Sequence, residues 1–122
     1  MGENKKILVV EDEVLTGIYL EHQLKQFGYD VAHSIASGEE AIDFVKNDRP
    51  DLILMDIRLA GVMDGFQTAK EILYLYKTYI IFMTGFHDED YRLRANELNK
   101  SWLLLKPIKI LELLKIIDTF KL

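Results

Sequence analysis

The segment Pro50-Asp51-Leu52-Ile53-Leu54-Met55-Asp56-Ile57-Arg58-Leu59 decides how the chain folds. Leu52 to Met55 are continuously apolar and are bounded by turn-forming and charged residues. That pattern predicts a short strand covered on both faces, the position of a central strand in a parallel sheet. A carboxylate closing such a strand costs free energy unless it is paired or metal-bound, so Asp56 is a candidate for function.

Working outward, comparable runs recur at fairly even spacing: Ile7-Leu8-Val9-Val10, Val31-Ala32-His33 with Ile35, Ile80-Ile81-Phe82-Met83, and Trp102-Leu103-Leu104-Leu105. The run at Val31 is weaker and predicts an edge strand, whereas the leucine-rich last run is ambiguous by itself. Between the runs lie segments of helical period. Val14, Ile18 and Leu24 with Phe27 form one stripe, Ala41, Phe44 and Val45 a second, and Phe66, Ala69, Leu73 and Tyr76 a third. Tyr91, Ala95 and Leu98 form a fourth, and Ile110, Leu113, Leu114, Ile117 and Phe120 a fifth. Ser37 with Glu40 and Asp64 with Gln67 have capping-box spacing at helix starts, and Gly28 stands where the first helix should stop. The alternation is (βα)5, which implies an α/β fold with one doubly wound parallel five-stranded sheet and right-handed crossovers.

Composition narrows the possibilities. A length of 122 residues suits one domain, and 49% hydrophobic with 29% charged residues is the balance of a chain that builds a core. Without cysteine there is no disulfide, thiolate nucleophile or cysteine zinc site, which agrees with a reducing compartment and makes the cytoplasm the expected location. No apolar run approaches the roughly 18 to 20 residues of a membrane span, and the start lacks the apolar stretch of a signal peptide. Fifteen Lys and Arg against 20 Asp and Glu give a net charge of −5, which argues against direct nucleic-acid binding.

In an open parallel sheet, ligands bind beyond the carboxyl ends of the strands. Glu11, Asp12 and Glu13 follow the first run, Asp56 the third, Thr84 the fourth and Lys106-Pro107 the fifth; only Ser34 follows the second. Singly, Asp12 could cap the first helix, Thr84 could close a strand, and Lys106 could be a solvated lysine. Together they place carboxylates, a hydroxyl and an ammonium on one rim. Crowded carboxylates call for a hard divalent cation, and Mg²⁺ suits them because it takes one or two carboxylates and adds phosphate oxygens. Lys106 and Thr84 would complement a phosphoryl group, with Asp56 as its nucleophilic acceptor.

The segments Ile7-Leu8-Val9-Val10-Glu11-Asp12-Glu13, Ser37-Gly38-Glu39-Glu40-Ala41, Pro50 to Leu59, Met63-Asp64-Gly65, Met83-Thr84-Gly85 and Leu104-Leu105-Lys106-Pro107 resemble, in this order and spacing, the receiver domain of two-component response regulators. The resemblance covers nearly the whole chain and implies a flavodoxin-like sheet in the order 2-1-3-4-5, with residues 1–122 as a single receiver domain and no effector domain. It implies that Asp56 takes a phosphoryl group from a phosphohistidine of a sensor histidine kinase or phosphotransfer protein. Glu11, Asp12 and Asp56 would hold Mg²⁺ with the backbone carbonyl of Arg58, while Thr84 and Lys106 would contact the phosphoryl group. The bond before Pro107 is expected to be cis. The domain would catalyse only its own phosphorylation and dephosphorylation, and would switch contacts with a downstream protein or a second copy through the face of the fourth helix, fifth strand and fifth helix. Leu111, Ile116 and Leu93, off the main stripes, fall on that face.

Three features depart from the usual pattern. The loop containing Ala60-Gly61-Val62-Met63 is one residue longer than is common, with Ala60 where proline is frequent. Leu103 occupies the position of the usual switch aromatic and Trp102 precedes it, so either Trp102 substitutes through a shifted backbone or the switch differs. Arg58 and Phe86 flank the approach to the phosphoryl group, and a bulky Phe86 that cannot orient water would slow dephosphorylation. His22, His33 and His87 show no metal-ligand spacing, and Tyr74, Tyr76 and Tyr79 are expected to cover the third helix and its exit.

Other functions fit less well. A flavodoxin-like cofactor binder would need a phosphate cradle after the first strand, where Glu11-Asp12-Glu13 repels anions. An aspartyl phosphohydrolase would need a second carboxylate closely following Asp56. A pseudo-receiver scaffold would not need Glu11, Asp12, Asp56, Thr84 and Lys106 together.

Overall fold

A computed structural model describes residues 4–85 and 101–122. The elements run β1 (Lys6–Val10), α1 (Val14–Gln26), β2 (Asp30–Val31), α2 (Gly38–Asn47), β3 (Leu52–Asp56), α3 (Gly65–Leu75), β4 (Tyr79–Thr84), β5 (Ser101–Leu105) and α4 (Ile110–Phe120). The stripe at Tyr91, Ala95 and Leu98, expected as the fourth of five helices, lies outside the described residues, as do Phe86, His87 and Leu93. Accordingly α4 here is the last helix, the fifth expected from the sequence.

The five strands form one parallel sheet in the order β2-β1-β3-β4-β5. β3 is central, pairing Leu52 to Met55 with Ile7 to Val10 on one side and Leu52 to Asp56 with Tyr79 to Met83 on the other. Buried on both faces, it divides the core. Leu8, Val10, Ile53, Met55 and Phe82 pack with Phe66, Ala69 and Ile72 of α3 and with α2. Ile7, Val9, Leu52, Leu54 and Met83 pack with Leu20 and Leu24 of α1 and with Leu113 and Ile117 of α4. β2 is shorter than its apolar run and forms an edge. Beyond Val31 the chain leaves β1 and returns only at Ile35, opposite Val10.

Local chemistry sets the helix ends. Asp64 and Gln67 form a complete capping box at α3. Ser37 caps α2 by accepting the Glu40 N–H at 3.3 Å, but the Glu40 carboxylate turns back to the Ser37 hydroxyl, not to its backbone. Gly28, at φ 91°, ends α1: its N–H reaches the Lys25 carbonyl and that of Tyr29 the Leu24 carbonyl, a left-handed C-terminal turn favouring glycine.

The stripe expected on α1 holds at Leu24 but fails at Val14 and Ile18. Val14 and Ile18 face solvent with Leu15 and Tyr19, while Gly17, Leu20, Glu21 and Leu24 are buried. A helix carrying apolar residues around most of its circumference has no single stripe to read, and the sheet here selects the side bearing the smallest residue and a carboxylate. The stripes of α2, α3 and α4 hold, with Ile72 added to the buried side of α3. Tyr74 projects into solvent instead of covering α3, whereas Tyr76 donates to the Pro50 carbonyl at 3.0 Å and Tyr79 stacks on Phe120.

Candidate functional site

The carboxyl ends of β1, β3, β4 and β5 bring Glu11, Asp12, Asp56, Thr84 and Lys106 to one rim. Asp56 is the last residue of β3, and its backbone is enclosed. The Ile57 N–H bonds to Met83, and Gly65 at the start of α3 approaches so closely that a Cβ there would overlap the Asp56 carbonyl. The glycine of Met63-Asp64-Gly65 is therefore a packing requirement of the Asp56 turn. Asp56 Oδ1 accepts the Arg58 N–H at 3.1 Å, fixing one side of the carboxylate.

Lys106 reaches across the rim. Its Nζ lies 2.8 Å from Glu11 Oε1 and 3.0 Å from Asp56 Oδ2, with Glu13 at 3.9 Å. The Lys106 N–H continues the β4–β5 pairing to the Thr84 carbonyl at 2.8 Å, so backbone pairing sets where this lysine starts. The Lys106–Pro107 bond is cis, as the resemblance implies. Burial lowers the proton affinity of Lys106, but hydrogen bonds to Glu11 and Asp56 outweigh it and hold the pKa above the usual lysine value. Glu11 moves up for a different balance: burial, reinforced by the neighbouring Asp56 carboxylate, exceeds the pull of Lys106.

Carboxylate oxygens of Glu11, Asp12 and Asp56 lie within 4.8 Å of one another. Asp12 is not a helix cap, because Glu13 is the N-cap of α1 and caps without its side chain. A buried Glu11 carboxylate close to that of Asp56, an all-oxygen donor set and one partly open carboxylate fit Mg²⁺, which requires oxygen ligands and keeps waters. Thr84 is buried at the end of β4, on the same rim.

The sheet register separates the two candidates for the switch position. Phe82 pairs with Leu103 and Thr84 with Leu105, whereas Ile81 pairs with Trp102 and Met83 with Leu104. Neighbouring strands present register partners on one face, so Leu103 shares the face of Thr84 and Trp102 lies on the opposite one. Leu103 packs against the core beside Phe82, while Trp102 is 47% exposed. Substitution by Trp102 through a shifted backbone does not occur in this register. The long loop after β3 is fastened to α2: Ala60 bridges Ser37, the Met63 N–H reaches Glu39 at 3.2 Å, and Gly61 adopts φ 102°.

Residues 7–118 match the model of the response regulator receiver domain. The chain belongs to the response regulator receiver family. Curated relatives of this receiver domain include the transcriptional regulatory protein PdtaR of Mycobacterium tuberculosis, 30% identical over 93% of the chain. The chain spans about half the length of that relative, 55%. Among solved structures, the receiver domain of a modulated diguanylate cyclase from Desulfovibrio desulfuricans G20 is 35% identical, covers 95% of this chain and 92% of its own, and superposes with TM-score 0.86. Vibrio cholerae CheY4 superposes equally well, TM-score 0.86, at 26% identity over 95% of this chain and 98% of its own. The receiver domain of the sensor histidine kinase PA1611 from Pseudomonas aeruginosa PAO1, 30% identical over 95% of this chain and 96% of its own with TM-score 0.81, has a magnesium ion coordinated in its active site cleft. This is a family of signalling domains, not of conventional enzymes, and it agrees with the sheet order and a phosphoacceptor role. Among the described residues, no helix is long and apolar enough to cross a membrane.

Sequence reasoning missed the face that α1 turns outward beside the rim. Leu15, at 82% exposure, and Tyr19 join Pro107 and Ile108 around a hollow of about 480 Å³ that Glu13 and Lys106 also line. The available signal was the excess of apolar residues on α1, too many for one buried stripe.

Proposed function

We propose that this receiver domain accepts a phosphoryl group on Asp56 from a phosphohistidine of a sensor histidine kinase or phosphotransfer protein, in a Mg²⁺-dependent reaction, and passes the signal on through protein contacts. The observation that carries this reading is the meeting of three strand ends at one rim, where carboxylate oxygens of Glu11, Asp12 and Asp56 lie within 4.8 Å of one another and Lys106 bonds Glu11 and Asp56. A carboxylate oxygen of Asp56 attacks phosphorus in line, the P–N bond of the donor breaks, and the imidazole leaves with the bonding pair. Glu11, Asp12 and Asp56, with the Arg58 carbonyl, would hold Mg²⁺, which when bound neutralises charge on the phosphoryl oxygens. Lys106, already 3.0 Å from the acceptor carboxylate, exchanges that contact for a phosphoryl oxygen, and Thr84 supplies a hydroxyl donor. The apolar hollow between α1 and Pro107-Ile108 adjoins Lys106 and receives an apolar helix face of the donor, delivering the histidine to the rim.

The test is intact mass after incubation with acetyl phosphate and Mg²⁺. The parent should gain one phosphoryl group and Asp56→Asn none; an undiminished adduct on the variant would refute the assignment.

A further inference from the structure

The buried carboxylate of Glu21 has no part in phosphoryl transfer, yet it lies on the inner side of α1 at 7% exposure. Its Oε1 accepts the N–H of Ser34, in the stretch where the chain has left β1 after Val31 and has not yet returned at Ile35. One turn earlier on the same face, Gly17 has no room for a Cβ, which would overlap Oγ and Cβ of Ser34. A glycine inside a helix is otherwise unfavourable, and here it makes the hollow that Ser34 fills. Ile35, the next residue, donates to the Val9 carbonyl at 2.9 Å and accepts the Glu11 N–H at 2.8 Å. Glu11 is the most buried of the three rim acids, so whatever fixes its backbone fixes one corner of the cation site.

We propose that Gly17 and Glu21 form a seat on α1 for Ser34 that, through Ile35, positions Glu11 for the divalent cation. Glu21 and Gly17 are positioning residues, and the claim about the cation rests on the function proposed above. An amide oxygen still accepts the Ser34 N–H, though less strongly than a carboxylate, so Glu21→Gln should keep most of the seat and Glu21→Leu should abolish it. Gly17→Ala should expel Ser34 while favouring the helix, and adding Ser34→Gly, which removes the clashing atoms, should restore it.

The experiment measures Mg²⁺ dissociation constants by calorimetry and backbone amide exchange at Glu11 by NMR, on variants shown to be folded. Glu21→Leu and Gly17→Ala should each weaken Mg²⁺ on the order of tenfold, the usual effect of losing a group that orients a metal ligand, and speed exchange at Glu11. Glu21→Gln and the Gly17→Ala, Ser34→Gly double variant should stay near the parent. Parental Mg²⁺ affinity and Glu11 protection in folded Glu21→Leu and Gly17→Ala would overturn the inference while leaving the proposed function standing. If the parent takes up no Mg²⁺, the functional reading fails instead, and unchanged Glu11 protection in both variants would then overturn the seat on its own.

Discussion

Lys106 Nζ stands 3.0 Å from Asp56 Oδ2, joining residues 50 positions apart at the ends of non-adjacent strands. The same ammonium holds Glu11 at 2.8 Å, so one cation balances the two buried acids of the rim. Lys106→Met leaves both carboxylates without it. Thermal and denaturant unfolding without Mg²⁺ should show a loss of about 1–3 kcal/mol, the cost of stranding a hydrogen-bonded charge. Mg²⁺ should recover part of that loss, since it neutralises the same oxygens, while acetyl phosphate labelling should stay at least tenfold slower than in the parent. Equal labelling rates would remove Lys106 from the chemistry.

Gly65 is the position least tolerant of a side chain near the acceptor. A Cβ there meets backbone, the Asp56 carbonyl and Ile57 Cα, which cannot rotate away as a side chain can. Gly65→Ala should cost about 1–3 kcal/mol in urea unfolding, as overpacking does, and should impair labelling of Asp56 even where the protein is folded. A variant with parental stability would mean that α3 can slide away from the β3 turn.

Tyr76 gives a pH signature far from the rim. Burial pushes its phenol up to about 12, and its hydroxyl donates to the Pro50 carbonyl. A raised folded-state pKa contributes stability that is fully present below the ordinary tyrosine value of 10.0 and is lost as pH rises through about 12. Relative to Tyr76→Phe, the parent should therefore lead by about 0.5–1.5 kcal/mol near neutrality, and that lead should shrink between pH 10 and 12. Melting temperatures of both proteins across this range check the sign; a growing lead would contradict it.

Leu103, not Trp102, is placed to sense a movement of Thr84, since it shares that face and packs against the core beside Phe82. Trp102 is the single tryptophan of the chain and half exposed, so acrylamide quenching reports on it directly. Its quenching should be nearly the same before and after acetyl phosphate treatment. Leu103→Ala should instead cost about 1–3 kcal/mol, as truncation of a partly buried leucine. Strong protection of Trp102 on phosphorylation would restore it as the moving aromatic.

The rim was legible because its residues are tied to strand ends. An apolar run followed by Asp56, or by Thr84 or Lys106, fixes both the end of the strand and the side of the sheet on which the polar residue emerges. The face of a residue within β5 was not legible: whether Trp102 or Leu103 joins Thr84 depends on register, and one step of register exchanges the two. On α1 the failure has a different origin. Val14 and Ile18 are apolar but face solvent, while Gly17 and Glu21 turn inward to receive Ser34. A pattern of apolar residues could not announce a buried carboxylate whose partner is a backbone N–H on another segment.

The most direct measurement locates the acceptor itself. The protein is treated with acetyl phosphate and Mg²⁺, reduced with borohydride, which converts an acyl phosphate to an alcohol, and digested for peptide mass mapping. The account predicts homoserine at position 56 and at no other acidic residue, with none formed when Mg²⁺ is chelated. Homoserine at Asp12 or another aspartate in place of 56, the five-carbon alcohol 2-amino-5-hydroxypentanoic acid at Glu11, or labelling at 56 indifferent to Mg²⁺, would contradict it.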